Sequence, residues 1–207
     1  MKKELSLVVG GAQGIGKSIF KSLLSKNKNT YVLDIKKVKS KRFIYVDLTD
    51  KNSIKQALDN KIFKKNKIKN LIFCQRFRGD SIKDHFKVSL FPVSELIDRL
   101  EKNISNNSSV IIINSNASSY ITDDQPLGYQ ASKAALINLV KFYAIKHGAR
   151  NIRFNSIVPG TTIKPENVKF YKKSKKYNII TKKIIPLKRL GTSKDVGNLV
   201  EFLCSDK

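Results

Sequence analysis

Short apolar runs alternate with longer amphipathic segments along the chain. Residues 5–9 (Leu-Ser-Leu-Val-Val) form the first run and lead directly into a glycine-rich turn. The segment from about 14 to 25 then carries Ile15, Ile19 and Leu23 at helical spacing. The other predicted strands are 30–35, 43–46, 70–74, 110–113 and 152–157, and the other predicted helices are about 51–65, 93–102, 129–147 and 194–203.

Runs that are apolar throughout predict strands that are buried on both faces of a sheet. Because strands and helices alternate, right-handed crossovers are expected to join the strands into a parallel sheet. The sequence therefore predicts an α/β fold, a doubly wound (Rossmann-type), mostly parallel sheet of about six strands with helices on both faces. In such a fold the active site lies at the carboxyl ends of the strands.

Length and composition are those of a single globular domain, residues 1–207, with 41% hydrophobic and 28% charged residues. No apolar run approaches the ~20 residues that span a bilayer, and the run before Gly10 is too short for a signal peptide. We therefore expect a cytoplasmic protein without a membrane partner. Cys74 and Cys204 lie far apart and no Cys/His cluster is present, so neither a disulfide framework nor a metal site is expected.

The net charge of +25 first suggests a polyanion-binding protein. The basic residues are mostly lysines, and they are spread through every segment instead of forming one stripe. Specific contacts with bases and phosphates rely strongly on arginine. We therefore expect no specific nucleic-acid partner and keep nonspecific polyanion binding as the weakest alternative.

The first candidate site is the turn at 9–16 (Val-Gly-Gly-Ala-Gln-Gly-Ile-Gly), which follows a predicted strand and opens a predicted helix. Glycines at Gly10, Gly14 and Gly16 allow the backbone to approach a pyrophosphate closely. The helix N-terminus then offers free N–H groups to the phosphates. The pattern predicts a dinucleotide site, with a purely structural turn as the alternative.

Asp34 ends the second predicted strand, where a carboxylate accepts hydrogen bonds from the adenosine ribose hydroxyls. Its charge would also repel the 2′-phosphate of NADP, so the sequence favours NAD. Lys36 and Lys37 follow directly and are able to attract that phosphate, so NADP is not excluded.

The second candidate site is Tyr129 and Lys133, which are four residues apart on a predicted helix and share one face. A nearby ammonium stabilises a phenolate and lowers the pKa of tyrosine from about 10. Tyr129 is therefore a candidate general acid/base. Ser115 follows the fifth predicted strand and would add a hydroxyl near a substrate carbonyl.

These pieces occur in an order and at spacings that resemble the short-chain dehydrogenase/reductase family. Residues 47–50 (Asp-Leu-Thr-Asp), 155–160 (Asn-Ser-Ile-Val-Pro-Gly) and 185–196 extend the resemblance over nearly the whole chain. It implies an oxidoreductase that transfers a hydride between NAD(P) and a small alcohol or carbonyl substrate. It also implies a homodimer or homotetramer, paired through the helices at 93–102 and 129–147.

The resemblance assigns roles to individual residues. Tyr129 would exchange a proton with the substrate oxygen, Lys133 would bind the nicotinamide ribose, and Ser115 would polarise the carbonyl. Ser89 aligns with the family's asparagine that supports a water chain to the lysine. The implied cofactor contacts are Gly10, Gln13, Gly14, Ile15 and Gly16 at the pyrophosphate, Asp34 at the adenosine ribose, Asp47 and Leu48 at the adenine, Tyr129 and Lys133 at the reacting end, and Pro159, Gly160 and Thr162 at the nicotinamide.

The sequence also departs from the family. Val9 replaces a threonine, Ser89 replaces the asparagine, and residues 73–76 (Phe-Cys-Gln-Arg) replace the small Asn-Asn-Ala-Gly, with an expected effect on the adenosine side. The family's last strand, which ends Asp-Gly-Gly, has no counterpart after Cys204. These changes leave an alternative open, a nucleotide-binding or scaffolding relative without turnover.

The segment at 165–183 corresponds to the loop that covers the substrate in the family. Here it carries the lysine cluster 172–176. This cluster either attracts an acidic or phosphorylated substrate or belongs to a solvated lid.

Overall fold

The parallel sheet predicted from the apolar runs is confirmed by a computed structural model, which describes residues 3–26 and 29–205. The ends of the predicted domain, residues 1–2 and 206–207, lie outside the described residues. All strands of the main sheet run parallel in the order β3-β2-β1-β4-β5-β6. The strands are β1 (Lys3–Val9), β2 (Thr30–Asp34), β3 (Phe43–Tyr45), β4 (Asn66–Phe73), β5 (Ile104–Ile113) and β6 (Arg153–Ile157).

Helices cover both faces of this sheet. They are α1 (Gly14–Ser25), α2 (Lys51–Leu58), α3 (Lys61–Lys65), α4 (Ile82–His85), α5 (Phe91–Leu100), α6 (Leu127–His147), α7 (Val168–Lys173), α8 (Lys175–Ile179) and α9 (Ser193–Leu203). The described part also contains two π-helical turns, Phe86–Leu90 and Ile180–Ile184, three short 3-10 turns, and a second small sheet of β7 (Thr162–Ile163) and β8 (Gly191–Thr192). None of the described helices combines the length and the apolar character that crossing a bilayer requires.

The hydrophobic core has two layers, one on each face of the sheet. Alternate residues of a strand point to opposite faces, so Val9 packs in the layer beneath α5 and α6, whereas Val8 packs against α1 and α9. Leu96 and Leu136 fill the first layer, and Ile19 fills the second. These two layers fix the helices against the sheet and leave its carboxyl edge open for a site.

Several predicted boundaries are wrong, among them the start of β4, which is Asn66 and not 70 because Lys3 of β1 pairs with it. The helix predicted over 51–65 is divided, because the Asn60 side chain accepts a hydrogen bond from the Ile62 N–H and starts a new helix there. Strand β5 begins at Ile104 and not at 110, because Ile104 pairs with Ile68 of β4. The polar sequence between Ile104 and 110 hides this extension from a hydropathy pattern, since backbone pairing does not require apolar side chains.

Candidate active site

The glycine turn packs too tightly for side chains at two positions. Gly10 has φ +75°, and a Cβ there would lie 2.5 Å from the Gln75 backbone nitrogen. A Cβ on Gly16 would lie 2.1 Å from the Gly10 carbonyl oxygen. Such contacts cannot be relieved by a side-chain rotation, because the crowding atoms belong to the backbone. The turn therefore brings the backbone of β1, β4 and the first turn of α1 together.

A cleft of about 570 Å³ opens beside this turn at the carboxyl edge of the sheet. Its volume is within the range of small-molecule and cofactor sites. The cleft brings together most of the residues that the sequence singled out. The predicted residues that line it are Gly10, Gln13, Gly14, Ile15, Gly16, Asp34, Asp47, Leu48, Tyr129 and Lys133.

Asp34 ties the end of β2 to the glycine turn. Its Oδ2 accepts a hydrogen bond from the Ala12 N–H at 2.9 Å, and its Oδ1 accepts one from the Lys36 N–H at 2.9 Å. Each carboxylate oxygen has a second lone pair, which leaves acceptor capacity towards the cleft. Asp47 is held similarly, because its Oδ1 accepts from the Thr49 N–H at 2.8 Å.

Lys133 is almost fully buried, with 3% of its surface exposed, and its Nζ donates to the Ile113 carbonyl at 2.9 Å. Burial, assisted by the nearby Arg76 cation, lowers the pKa of Lys133 to about 8. Tyr129 is 7% exposed, and its ring centre lies 5.8 Å from the Lys133 Nζ. The helical spacing has therefore placed the phenol and the amine on one side of α6, facing the cleft.

Ser115 lies next to the cleft lining and not in it. The lining residue is Asn114, whose side chain donates to the Lys133 carbonyl at 3.1 Å and accepts from the Ser115 N–H at 3.0 Å. The Ser115 hydroxyl donates to the Asn116 Oδ1 at 3.3 Å and accepts from the Ala117 N–H at 3.2 Å. Sequence reasoning missed Asn114, although it directly precedes Ser115 at the end of β5.

Ser89 is buried in the π-helical turn, below the cleft-lining residue Val88. Its Oγ has no hydrogen-bond partner within 3–26 and 29–205. An unpartnered buried hydroxyl is uncommon, and water is a frequent partner at such positions. The buried, unpartnered Oγ is compatible with a bound water, and the role of Ser89 in a water chain stays a prediction.

The predicted nicotinamide contacts Pro159, Gly160 and Thr162 are outside the cleft lining. The Thr162 hydroxyl donates to the Gly160 carbonyl at 2.9 Å, so it serves the loop itself. Lys164 lines the cleft instead. Its side chain passes over Gly14, where an added Cβ would lie 3.1 Å from the Lys164 Cδ. The roles of Pro159, Gly160 and Thr162 at the nicotinamide stay predictions.

The altered segment 73–76 extends from the glycine turn, where the Gln75 backbone lies against Gly10, to Tyr129. The sequence predicted an effect on the adenosine side. The structure places the Arg76 guanidinium 4.8 Å from the ring centre of Tyr129. Gln75 and Cys74 also line the cleft, and burial raises the pKa of the Cys74 thiol to about 12, so the thiol stays neutral at physiological pH.

The lysine cluster 172–176 lies on α7 and α8, outside the cleft lining. The Lys176 Nζ pairs with the Asp123 Oδ1 at 3.2 Å, and the Tyr177 hydroxyl lies 3.2 Å from the Asp124 Oδ2. These contacts connect α8 to the segment before α6. Within the described part of the chain, no hydrogen bond or ion pair joins the cluster to the cleft residues named above, and its role as a lid stays a prediction.

The sheet order and the glycine turn at the end of β1 define a Rossmann-fold protein with a dinucleotide type of site. Comparison with known proteins gives the family. A family model described as enoyl-(acyl carrier protein) reductase matches residues 10–207. The chain belongs to this family and thereby to the short-chain dehydrogenase/reductases, which are NAD(P)-dependent oxidoreductases that act on CH–OH and C=O groups.

Individual relatives agree with this assignment. The 3-oxoacyl-(acyl-carrier-protein) reductase FabG of Thermotoga maritima is 26% identical over 100% of this chain and 92% of that enzyme. Glucose 1-dehydrogenase of Gluconobacter oxydans is 33% identical over 96 residues, which are 46% of this chain and 36% of that enzyme. The crystal structure of a short chain dehydrogenase family protein from Francisella tularensis matches with a TM-score of 0.84 and 26% identity, over 100% of this chain and 92% of that chain.

Proposed function

We propose that the protein binds NAD in preference to NADP and uses Tyr129 as the acid/base in hydride transfer between the nicotinamide and a small alcohol or carbonyl substrate. The observation that carries this proposal is the convergence of Tyr129, Lys133 and the glycine turn on one cleft. Gly10 and Gly16 allow the backbone of the turn to pack closely at the edge of the cleft, and the first turn of α1 offers N–H groups to a pyrophosphate there. The residues present therefore fit a dinucleotide.

The cofactor, when bound, supplies or accepts the hydride. Tyr129 exchanges the proton with the substrate oxygen, as acceptor in alcohol oxidation and as donor in carbonyl reduction. In this proposal the Lys133 ammonium would stabilise the phenolate and donate to the nicotinamide ribose. The Ser115 hydroxyl donates to Asn116 in this structure, so it must rotate to donate to the substrate oxygen.

Cofactor preference is expected to depend on Asp34. Wild-type protein should bind NADH more tightly than NADPH, and Asp34→Asn should reduce this preference by about tenfold or more, since hydrogen bonds to a charged group contribute about 1.5–3 kcal/mol. Fluorescence titration at moderate salt measures both affinities while screening nonspecific attraction by the basic surface.

Asp59→Asn is the matched control, because Asp59 is exposed at the end of α2 and outside the cleft. It should leave both dissociation constants unchanged. An Asp34→Asn protein with the wild-type ratio of NADH to NADPH affinity would contradict the role given to Asp34.

Self-association is expected to use α6. Phe142 and Ile145 are three residues apart on this helix, and 62% and 85% of their surfaces are exposed. We propose that this apolar face pairs with a second copy. Light scattering after size-exclusion chromatography should find a dimer or tetramer for wild type and a lower order for Phe142→Glu. Ile121→Glu, at another exposed apolar residue, is the control and should keep the wild-type oligomeric state. The assignment would be overturned if Phe142→Glu kept the wild-type oligomeric state and Ile121→Glu lost it.

A further inference from the structure

Positive charge is concentrated at the Tyr129 end of the cleft. The cationic groups of Arg76 and Lys133 lie 4.8 Å and 5.8 Å from the Tyr129 ring centre, and Arg78 and Lys164 also line the cleft. Their charges act on one another, because the cation of Arg76 lowers the pKa of Lys133 and also that of Lys164, in both cases after the larger effect of burial. A cavity that holds several like charges is stabilised by an anion.

The carboxylates near the cleft do not neutralise the two arginines. Asp34 and Asp47 line the cleft, but they accept hydrogen bonds from backbone N–H groups next to β2 and β3. Glu166 acts on Lys164, whose pKa it raises in opposition to burial. Across 3–26 and 29–205, neither Arg76 nor Arg78 forms an ion pair.

The guanidinium of Arg76 also makes few contacts with neutral groups. It donates one long hydrogen bond of 3.4 Å to the Gln125 Oε1 and lies over the Tyr129 ring. Arg76 and Arg78 remain exposed, so a ligand in the cleft has access to their N–H groups. A guanidinium binds carboxylate and phosphate oxygens through two parallel N–H donors, and these donors are available here.

The segment that carries the arginines is fixed against the site. The His85 Nε2 lies 2.8 Å from the Gly79 carbonyl, so this nitrogen carries the proton and donates to it. The Phe77 ring packs edge-on against His85 at 5.1 Å, and His85 packs against Tyr129 at 5.9 Å. Gly128 permits this contact, because a Cβ there would lie 2.9 Å from the His85 ring. These contacts anchor the backbone that carries the two arginines beside Tyr129.

We propose that Arg76, supported by Arg78, binds a carboxylate or phosphate group of the substrate next to Tyr129. The substrate class is therefore an anionic alcohol or carbonyl compound. This inference rests on the proposed function, because the substrate position is defined by Tyr129. The glycine turn supplies backbone N–H donors for the cofactor phosphates, whereas the Arg76 guanidinium lies over the Tyr129 ring, so we assign Arg76 to the substrate.

Anion binding by the NADH-saturated protein tests this proposal without knowledge of the substrate. Inorganic phosphate and acetate are titrated separately by calorimetry at constant ionic strength. Wild type should bind at least one of them saturably, and the tighter of the two identifies the favoured group. Arg76→Gln should weaken this binding about tenfold or more, and Arg76→Lys should weaken it less. Lys141→Gln removes one exposed charge from α6, outside the cleft, and should have no effect.

The proposal would be overturned if the wild-type protein bound neither anion saturably, or if Arg76→Gln and Lys141→Gln weakened anion binding equally. It would also be overturned if Arg76→Gln lost NADH affinity, because Arg76 would then belong to the cofactor site. Failure of the proposed function has a different signature. If the proposed function is wrong, NADH itself does not bind. The anion titrations can then be repeated without NADH, and we still expect anion binding that depends on Arg76.

Discussion

Replacement of Tyr129 by phenylalanine is expected to lower kcat/KM about a thousandfold while NADH affinity stays close to wild type. General acid/base catalysis contributes about 10²–10⁴-fold, and the substitution removes the hydroxyl that exchanges the proton. The ring is retained, so its packing against His85 and the Arg76 guanidinium is preserved. Initial rates with the best substrate from a panel of anionic alcohols and carbonyl compounds, together with an NADH titration, measure both quantities.

Tyr143→Phe is the matched control for this experiment. Tyr143 is buried on the same helix, and its hydroxyl donates to the Asp98 Oδ1 at 2.9 Å, away from the cleft. This variant should lose stability but keep its turnover. If wild type binds NADH and no turnover depends on the Tyr129 hydroxyl, the alternative of a nucleotide-binding relative without turnover is favoured.

The parts of the site that sequence predicted are those fixed by local geometry. Gly10, Gly14 and Gly16 are joined by a single strand–turn–helix unit, whose shape follows from its own residues. Tyr129 and Lys133 share a helix face because of the helical repeat. The apolar runs identified all the strands of the main sheet, so the position of the cleft at its carboxyl edge followed from the fold class.

The parts that sequence did not predict depend on packing between distant segments. Arg76 follows β4, and its direction is set by contacts with Tyr129 and Gln125 of a later segment. Residue types alone showed that the sequence 73–76 is unusual for the family. They did not show that the Arg76 guanidinium lies over the Tyr129 ring. Sequence likewise did not predict Lys164 in the cleft lining, because the path of the chain after Gly160 determines which side chain crosses Gly14.

Replacement of Gly16 by alanine is expected to abolish saturable NADH binding and to lower Tm by about 5–10 °C. Overpacking costs typically about 1–3 kcal/mol, and about 1 kcal/mol corresponds to about 2–4 °C in a chain of this size. Here the new Cβ would lie 2.1 Å from the Gly10 carbonyl, so the turn itself must move. Thermal unfolding and fluorescence titration measure the two effects.

Gly197→Ala on α9 separates this effect from a general cost of alanine in a helix. A Cβ there would lie 3.9 Å from the Ser18 Oγ, an ordinary contact, and alanine favours a helix over glycine by about 1 kcal/mol. NADH binding should be unchanged and Tm should rise slightly.

Gly14→Ala provides a milder change if Gly16→Ala does not fold. The atom nearest to a Cβ on Gly14 belongs to the flexible Lys164 side chain, although the φ of +53° at Gly14 still disfavours alanine. Wild-type NADH affinity in a folded Gly16→Ala protein would exclude this turn as the pyrophosphate site, because a displaced turn cannot keep the same backbone donors on the phosphates.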